Sequence, residues 1–425
     1  MTTPLTTRAL TKRLLLTAAV LPLLTAAACS GNSSGGGTGS APSAASSGGE
    51  QLALTALDYY TDEPAHADTQ KRLSDCAAKV NATITQQSVP SGQFNAKVLQ
   101  AISTKTLPDV LMVNNPDLPQ FAKSGALNSL TNLNVDTSAY LPSVLGAGKY
   151  NGELYGLAPN VNTLVLYYNK KLLADAGVEV PKTWADLEAA SKKLTTPAHY
   201  GLAYAATSGT EGEWTFVPFL WSNGGSQADL TSAKSQEALT YYTGLALKGY
   251  VSKSAVNWSQ ADAKDQFAAG KAAMMINGPW QIPSLNQVKG LDWASAPIPV
   301  PATGVEPAAP MGGELWTVPK TTPDRESRAA AIVQCLNAPE TQLAMSLSNN
   351  TVPSNSAAAT ELAKQQPEMA SIVETVRSAR ALTSDAGDKW PIVDTALSEA
   401  IQAVITGQSS VPDAMAAAQA QFDKG

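Results

Sequence analysis

Residues 51–113 read QLALTALDYYTDEPAHADTQKRLSDCAAKVNATITQQSVPSGQFNAKVLQAISTKTLPDVLMV, and the rhythm of this stretch decides the fold class. Gln51 to Leu57 alternates loosely as a short strand. Ala67 to Asn81 carries Leu73, Ala77 and Val80 on one helical face, and Ala82 to Val89 is extended again. Phe94 to Ser103 predicts a second helix and Pro108 to Val113 a third strand. Strands and helices alternating at this spacing predict a parallel sheet, and the chain is therefore α/β. Ligands of such sheets lie beyond the carboxyl ends of the strands. Tyr59, Tyr60, Asn114, Asn115 and Asp117 then fall in loops on one edge, although Asn and Asp also favour turns on their own account.

Outward toward the amino terminus, Arg8, Lys12 and Arg13 precede an apolar run from Leu14 to Leu24 and the small residues Ala26-Ala27-Ala28, the architecture of an export signal. Cys29 follows at once. Ser30 to Gly49 is almost wholly Gly, Ser, Ala, Thr, Pro and Asn, a composition that buries no core and predicts a flexible tether. Loss of residues 1–28 removes three of 29 basic residues and none of 35 acidic ones, which leaves 26 and 35 and a net charge of −9. No basic stripe remains, so nucleic acid is not an expected partner. Nearly 400 remaining residues exceed one core and predict two lobes. Cys76 and Cys335 either pair or remain buried thiols. The two histidines, His66 and His199, have no partner at ligand spacing, so neither a metal nor a cofactor is expected.

Further along, Phe121 to Leu130 predicts a helix interrupted at Gly125. Tyr150 to Gly156 predicts a hairpin turning on Asn151-Gly152, and Thr183 with Asp186 predicts a near capping box. Met274-Met275-Ile276-Asn277-Gly278-Pro279-Trp280 is a short strand running into a glycine-proline turn. Gly278 is expected to supply a backbone conformation other residues resist, and Trp280 to be presented rather than merely buried. Trp214 has Gly, Glu and Thr neighbours, which argues against a core role; Trp221 and Trp184 read as packing residues.

Four segments carry a resemblance: YGLAPNVNTLVLYYNKKLL (155–173), PKTWADL (181–187), GKAAMMINGPW (270–280) and GGELWTVPK (312–320). LPDVLMVNN (107–115), FAKSGALNSLT (121–131), Ser348 to Ser354 and Trp390 before a long helix join them. In order and spacing the chain from about Gln51 resembles the extracytoplasmic solute-binding proteins of ABC importers, within them the family that binds maltose, oligosaccharides and other sugars. The resemblance implies a two-lobe periplasmic-binding-protein clamp with three interlobe hinge crossings. Lobe one would be 50–158 with 298–352 and lobe two 159–297 with 353–425. It implies aromatic platforms at Trp214, Trp280 and Trp390, and polar contacts from Tyr60, Glu63, Asn115, Asp117, Asn162, Gly313 and Glu314. Residues 1–28 would be a lipoprotein signal, 29–49 the tether, and Cys29 the acylated residue holding a monomer at the outer face of the cytoplasmic membrane. Ala26 stands where that pattern prefers Leu, so plain secretion is the alternative. The expected partners are a sugar ligand and a membrane permease.

A hydrolase would need two carboxylates at fixed separation, for which Glu213 and Glu314 are the candidates. No nucleophile elbow or phosphate loop accompanies them. The remaining alternatives are a binding protein for another solute and a secreted carbohydrate-active enzyme.

Overall fold

The computed structural model describes residues 51–424 apart from Asp62 and Pro64. The expected signal, tether and acylated Cys29 lie outside the described residues. Nine strands matter for the site: β1 (Leu52–Asp58), β2 (Ala82–Ser88), β3 (Val110–Asn114), β4 (Gly156–Leu157), β5 (Val165–Asn169), β6 (Tyr200–Ala203), β7 (Ala272–Asn277), β8 (Trp293–Ala296) and β9 (Glu314–Thr317). They form a five-stranded sheet in the order β2-β1-β3-β9-β4 and a four-stranded sheet in the order β8-β5-β7-β6.

The first three strands are parallel, with Leu52 opposite Ala82 and Ala56 opposite Val110. Helices α1 (Ala65–Ala78) and α2 (Ser91–Thr104) connect them. Leu73, Cys76 and Ala77 on α1, and Phe94, Val98 and Ala101 on α2, are buried at the i, i+3, i+4 and i+7 positions of one helical face. β9 then enters antiparallel between β3 and β4, with Trp316 opposite Met112 and Leu157. The second sheet is mixed: β7 runs antiparallel to β5 and parallel to β6.

Two locks hold the first sheet to helix α3 (Pro323–Leu336). Cys76 and Cys335 are bonded, with Cα atoms 5.7 Å apart, which joins α1 to α3 and settles the open pairing. Arg325 donates to both oxygens of the 2 % exposed Asp109, at 2.6 and 2.7 Å, and the Thr55 amide donates to the same carboxylate at 2.8 Å. A carboxylate buried with so many donors is stable in place; one buried without them would be costly.

Several local expectations hold. The hairpin pairs Lys149–Tyr150 with Glu153–Leu154, with Asn151 and Gly152 both at positive φ as the tight turn requires. Thr183 and Asp186 form a reciprocal capping box. The helix expected over 121–130 is a correction. It spans Leu118–Lys123, begun by Pro119 in its first turn and ended before Gly125, whose φ of +75° cannot continue a helix. Leu127 instead bridges to Pro319.

Candidate ligand-binding site

The carboxyl ends of β1 and β3, the start of β9 and the end of β7 converge on a cavity of about 590 Å³. The second wall is supplied by helix α4 (Thr210–Ser222), the first residue of helix α5 (Gln260–Ala268) and the turn after β7. Tyr59, Phe94, Asn95, Asn114, Asp117, Gly313 and Glu314 line one side; Thr210, Glu211, Trp214, Gln260 and Trp280 line the other, with Asn162 between.

Trp280 is held from several directions. The Asn277 amide donates to the Gln260 carbonyl at 2.8 Å, its carbonyl oxygen accepts from the Gly278 amide at 2.9 Å, and the Tyr167 hydroxyl donates to the Gly278 carbonyl at 3.0 Å. Gly278 itself has φ −103° and ψ 174°, ordinary extended backbone. The expectation of an unusual glycine conformation is therefore corrected. The glycine is needed because the indole folds back onto its Cα: a Cβ there would lie 2.0 Å from Cη2 and Cζ3 of Trp280. Trp214 sits beside it, ring centroids 5.7 Å apart and planes 36° from parallel. Gly312 performs the same service for Trp214, since a Cβ at 312 would fall 2.3 Å from that indole and 2.1 Å from Asn162 Oδ1. Two half-buried indoles, inclined 36° to each other, are thus seated against glycines and line the cavity.

The opposite side is polar. Tyr59 donates its hydroxyl to Glu314 Oε1 at 2.6 Å, and Tyr60 packs edge-on against Tyr59 at 5.5 Å. Burial and the neighbouring Glu314 push both phenols well up, so they act as donors throughout the ordinary pH range. Gly313 has φ +124°, a region only glycine enters readily, and brings its backbone against Asn160 and Val161. Burial raises Asp117 to about 6, opposed by a hydrogen bond from Asn95. Behind the second wall, the Thr210 hydroxyl donates to Asp394 at 3.1 Å, and burial raises Asp394 to about 7. Glu213 is fully buried, accepts from Gln227 at 2.6 Å, and is raised by burial and by Asp394.

Six of the ten expected contact residues, Asp117, Asn162, Trp214, Trp280, Gly313 and Glu314, therefore face one cavity. The other four do not. Trp390 is 4 % exposed within the core of the second sheet's helices. Trp390, Val393, Leu397, Ile401 and Val404 form one apolar face of helix α6 (Trp390–Ile405), and that spacing was readable as packing. Asn115 is 2 % exposed and gives its amide to the Met311 and Gly313 carbonyls, both at 3.1 Å. It positions the glycine turn, and Asn114 takes the lining place. Glu63 is exposed and caps the start of α1 through the Ala67 amide at 3.2 Å. Tyr60 stands behind Tyr59. Glu213, a candidate for hydrolysis, is not on the wall. Sequence reasoning missed Phe94, Asn95, Thr210, Glu211 and Gln260, which lie within the first five residues of helices, where ligand contact has no sequence signature distinct from capping.

Trp221 and Trp184 are packing residues: Arg380 lies 4.6 Å over the Trp221 ring, and Trp184 stacks on Tyr241 at 4.3 Å. Among the described residues no group of three or more His, Cys, Asp or Glu could hold a metal ion, and no helix is long and apolar enough to cross a membrane.

The family model for bacterial extracellular solute-binding proteins matches residues 71–371. The maltodextrin-binding protein MdxE of Bacillus subtilis is 28 % identical over 284 residues, 63 % of this chain and 65 % of that protein. The match thus spans just under two thirds of that curated relative. The diacetylchitobiose binding protein DasA of Streptomyces coelicolor is 31 % identical over 137 residues, 32 % of each chain. Among solved structures, the cyclic alpha-maltosyl-1,6-maltose binding protein of Arthrobacter globiformis superposes with a TM-score of 0.77 at 23 % identity, covering 88 % of this chain and 100 % of that one. The GacH receptor of Streptomyces glaucescens superposes at 0.75 and 23 %, covering 88 % and 98 %. These structures share the two-lobe α/β fold.

Proposed function

The chain belongs to the bacterial extracellular solute-binding proteins, and from that premise we propose that it captures a sugar or oligosaccharide outside the cytoplasmic membrane and delivers it to the permease of an ABC importer. The observation that carries this reading is the make-up of the cavity. Two angled indoles face a wall of hydroxyl, amide and carboxylate groups across about 590 Å³. A pyranose ring needs both, a flat apolar face to stack and planar acceptors for its hydroxyls. Relatives named for maltodextrin and diacetylchitobiose support the same class. Glu213, buried behind the wall, supports binding without turnover.

Ligand bridges the walls and favours a closed clamp, which is the form the permease receives. The lobes are taken as 50–158 with 298–352 and 159–297 with 353–425. In support, β4 belongs to the first sheet and β5 to the second, β8 to the second and β9 to the first. Near the third joint, Val352–Pro353 pairs with Asn160–Val161, and Asn160 donates to Thr351 at 2.6 Å. The protein acts as a monomer held by acylated Cys29, so Cys29→Ser should move it from the membrane fraction to the medium.

A micromolar ligand requires about −8 kcal/mol, within reach of two stacked rings and several hydrogen bonds of roughly 1 kcal/mol net. Isothermal titration across mono-, di- and oligosaccharides should find stoichiometric binding without product. Trp280→Ala should weaken it about tenfold or more while circular dichroism stays unchanged. Unaltered affinity in that folded variant would sink the stacking role.

A further inference from the structure

The charge of the cavity wall carries a narrower conclusion, which rests on the sugar reading above. Among the described residues that line it, Asp117, Glu211 and Glu314 are carboxylates, and none is Lys, Arg or His. They approach from both sides, Asp117 and Glu314 from the first sheet and Glu211 from α4. Each is anchored by the chain without being exhausted. The Asn95 side chain favours the charged form of Asp117, the Gln260 backbone amide donates to Glu211 Oε2 at 2.7 Å, and Tyr59 donates to Glu314 Oε1 at 2.6 Å. A carboxylate offers about four acceptor sites, so capacity remains on all three.

Behind Thr210 stands another carboxyl group, Asp394, which accepts the Thr210 hydroxyl at 3.1 Å, so no positive side chain backs this part of the wall. Arg72 acts on Tyr60 but does not line the cavity. Burial raises Asp117 to about 6, as expected of a carboxylate short of positive neighbours. Finally, Trp214 and Trp280 line the same cavity, and an indole face attracts a cation and repels an anion.

We propose that this cleft selects a saccharide carrying a basic nitrogen, an amino or imino sugar unit, over its neutral isostere, and excludes one carrying a carboxylate. A neutral hydroxyl can donate to the same oxygens, but an ammonium group donates with charge and also meets the indole faces. The gain is about tenfold in affinity.

The test is titration calorimetry at pH 7 on the full mature protein with matched pairs. The glucosamine dimer is compared with cellobiose, a 2-amino-2-deoxy derivative of maltose with maltose, and cellobiouronate serves as the anionic member. The expected result is an amine-bearing ligand at least about tenfold tighter than its neutral partner in one pair, with no binding of the uronate. Asp117→Asn should reduce that ratio to within about threefold, and Glu211→Gln supplies the same readout should the first variant not fold. Neutral ligands bound as tightly in every pair, a bound uronate, or a ratio unmoved by both variants would each overturn the charge preference and leave the sugar reading standing. A panel in which no saccharide of any charge binds would overturn both.

Discussion

Gly278 shows how much of the cleft depends on one absent methyl group. Because a Cβ would overlap Trp280 at 2.0 Å, Gly278→Ala should tip the indole out of its seat, shift tryptophan fluorescence and weaken ligand by about tenfold or more, with little change in secondary structure. An unchanged emission spectrum and affinity would refute the seating. A second residue-scale expectation concerns protons. Asp394 is raised from 3.8 to about 7 by burial, and Glu213 is raised by burial with Asp394 next in line. The folded state therefore holds protons that the unfolded chain releases. The stability contributed by Asp394 is complete below about pH 4 and is lost as pH rises through about 7, at about 1.4 kcal/mol per pH unit in between, and Glu213 shifts in the same direction. Thermal unfolding of the Glu213→Gln, Asp394→Asn double variant should accordingly fall less between pH 5 and 8 than that of the parent. Parallel curves would refute it. At this scale Trp280 was legible because its own turn announces it, and Asp117 because it follows a strand end. Trp390 was misread from its chemistry although its spacing marked it as core, and Asn115 lost its place to Asn114 because the turn beginning at 115 rotates the side chain inward.

Elements were legible where the signal is local. The Asn151-Gly152 hairpin and the Thr183–Asp186 box each rest on backbone preferences within a few residues, and Thr183→Ala should cost about 1 kcal/mol, read as a lowered denaturant midpoint. The insertion of β9 between β3 and β4 was not legible from pattern alone, because a four-residue strand, Glu314-Leu315-Trp316-Thr317, says nothing about which edges await it. Nor was the pairing of Cys76 with Cys335, which depends on α1 and α3 packing side by side. That bond closes a loop with a sequence separation of 259. Replacing both cysteines by alanine should destabilise the first sheet's lobe by roughly 3–5 kcal/mol, and equal chemical stability of the variant would show that the bond is energetically idle.

For the whole molecule, length alone argued for more than one core, whereas the proposed pairing of sequence segments into lobes rests on motif order. If ligand closes the clamp, small-angle scattering should give a smaller radius of gyration on adding a bound saccharide, and Trp280→Ala should need proportionately more ligand for the same change. A radius indifferent to saturating ligand would exclude closure as the signal to a permease.

The placement of β9 also has a consequence for how the molecule is made. β3 ends at Asn114 and β4 at Leu157, yet the strand that joins them begins at Glu314. A chain emerging from its amino terminus exposes two bare strand edges until nearly three quarters of it has appeared, and the cysteine partner arrives later still. Biogenesis of the first lobe is therefore post-translational in character: it requires a holding period in which those edges are kept from other chains, and a product truncated before residue 314 would be a client for proteolysis rather than a half-working receptor.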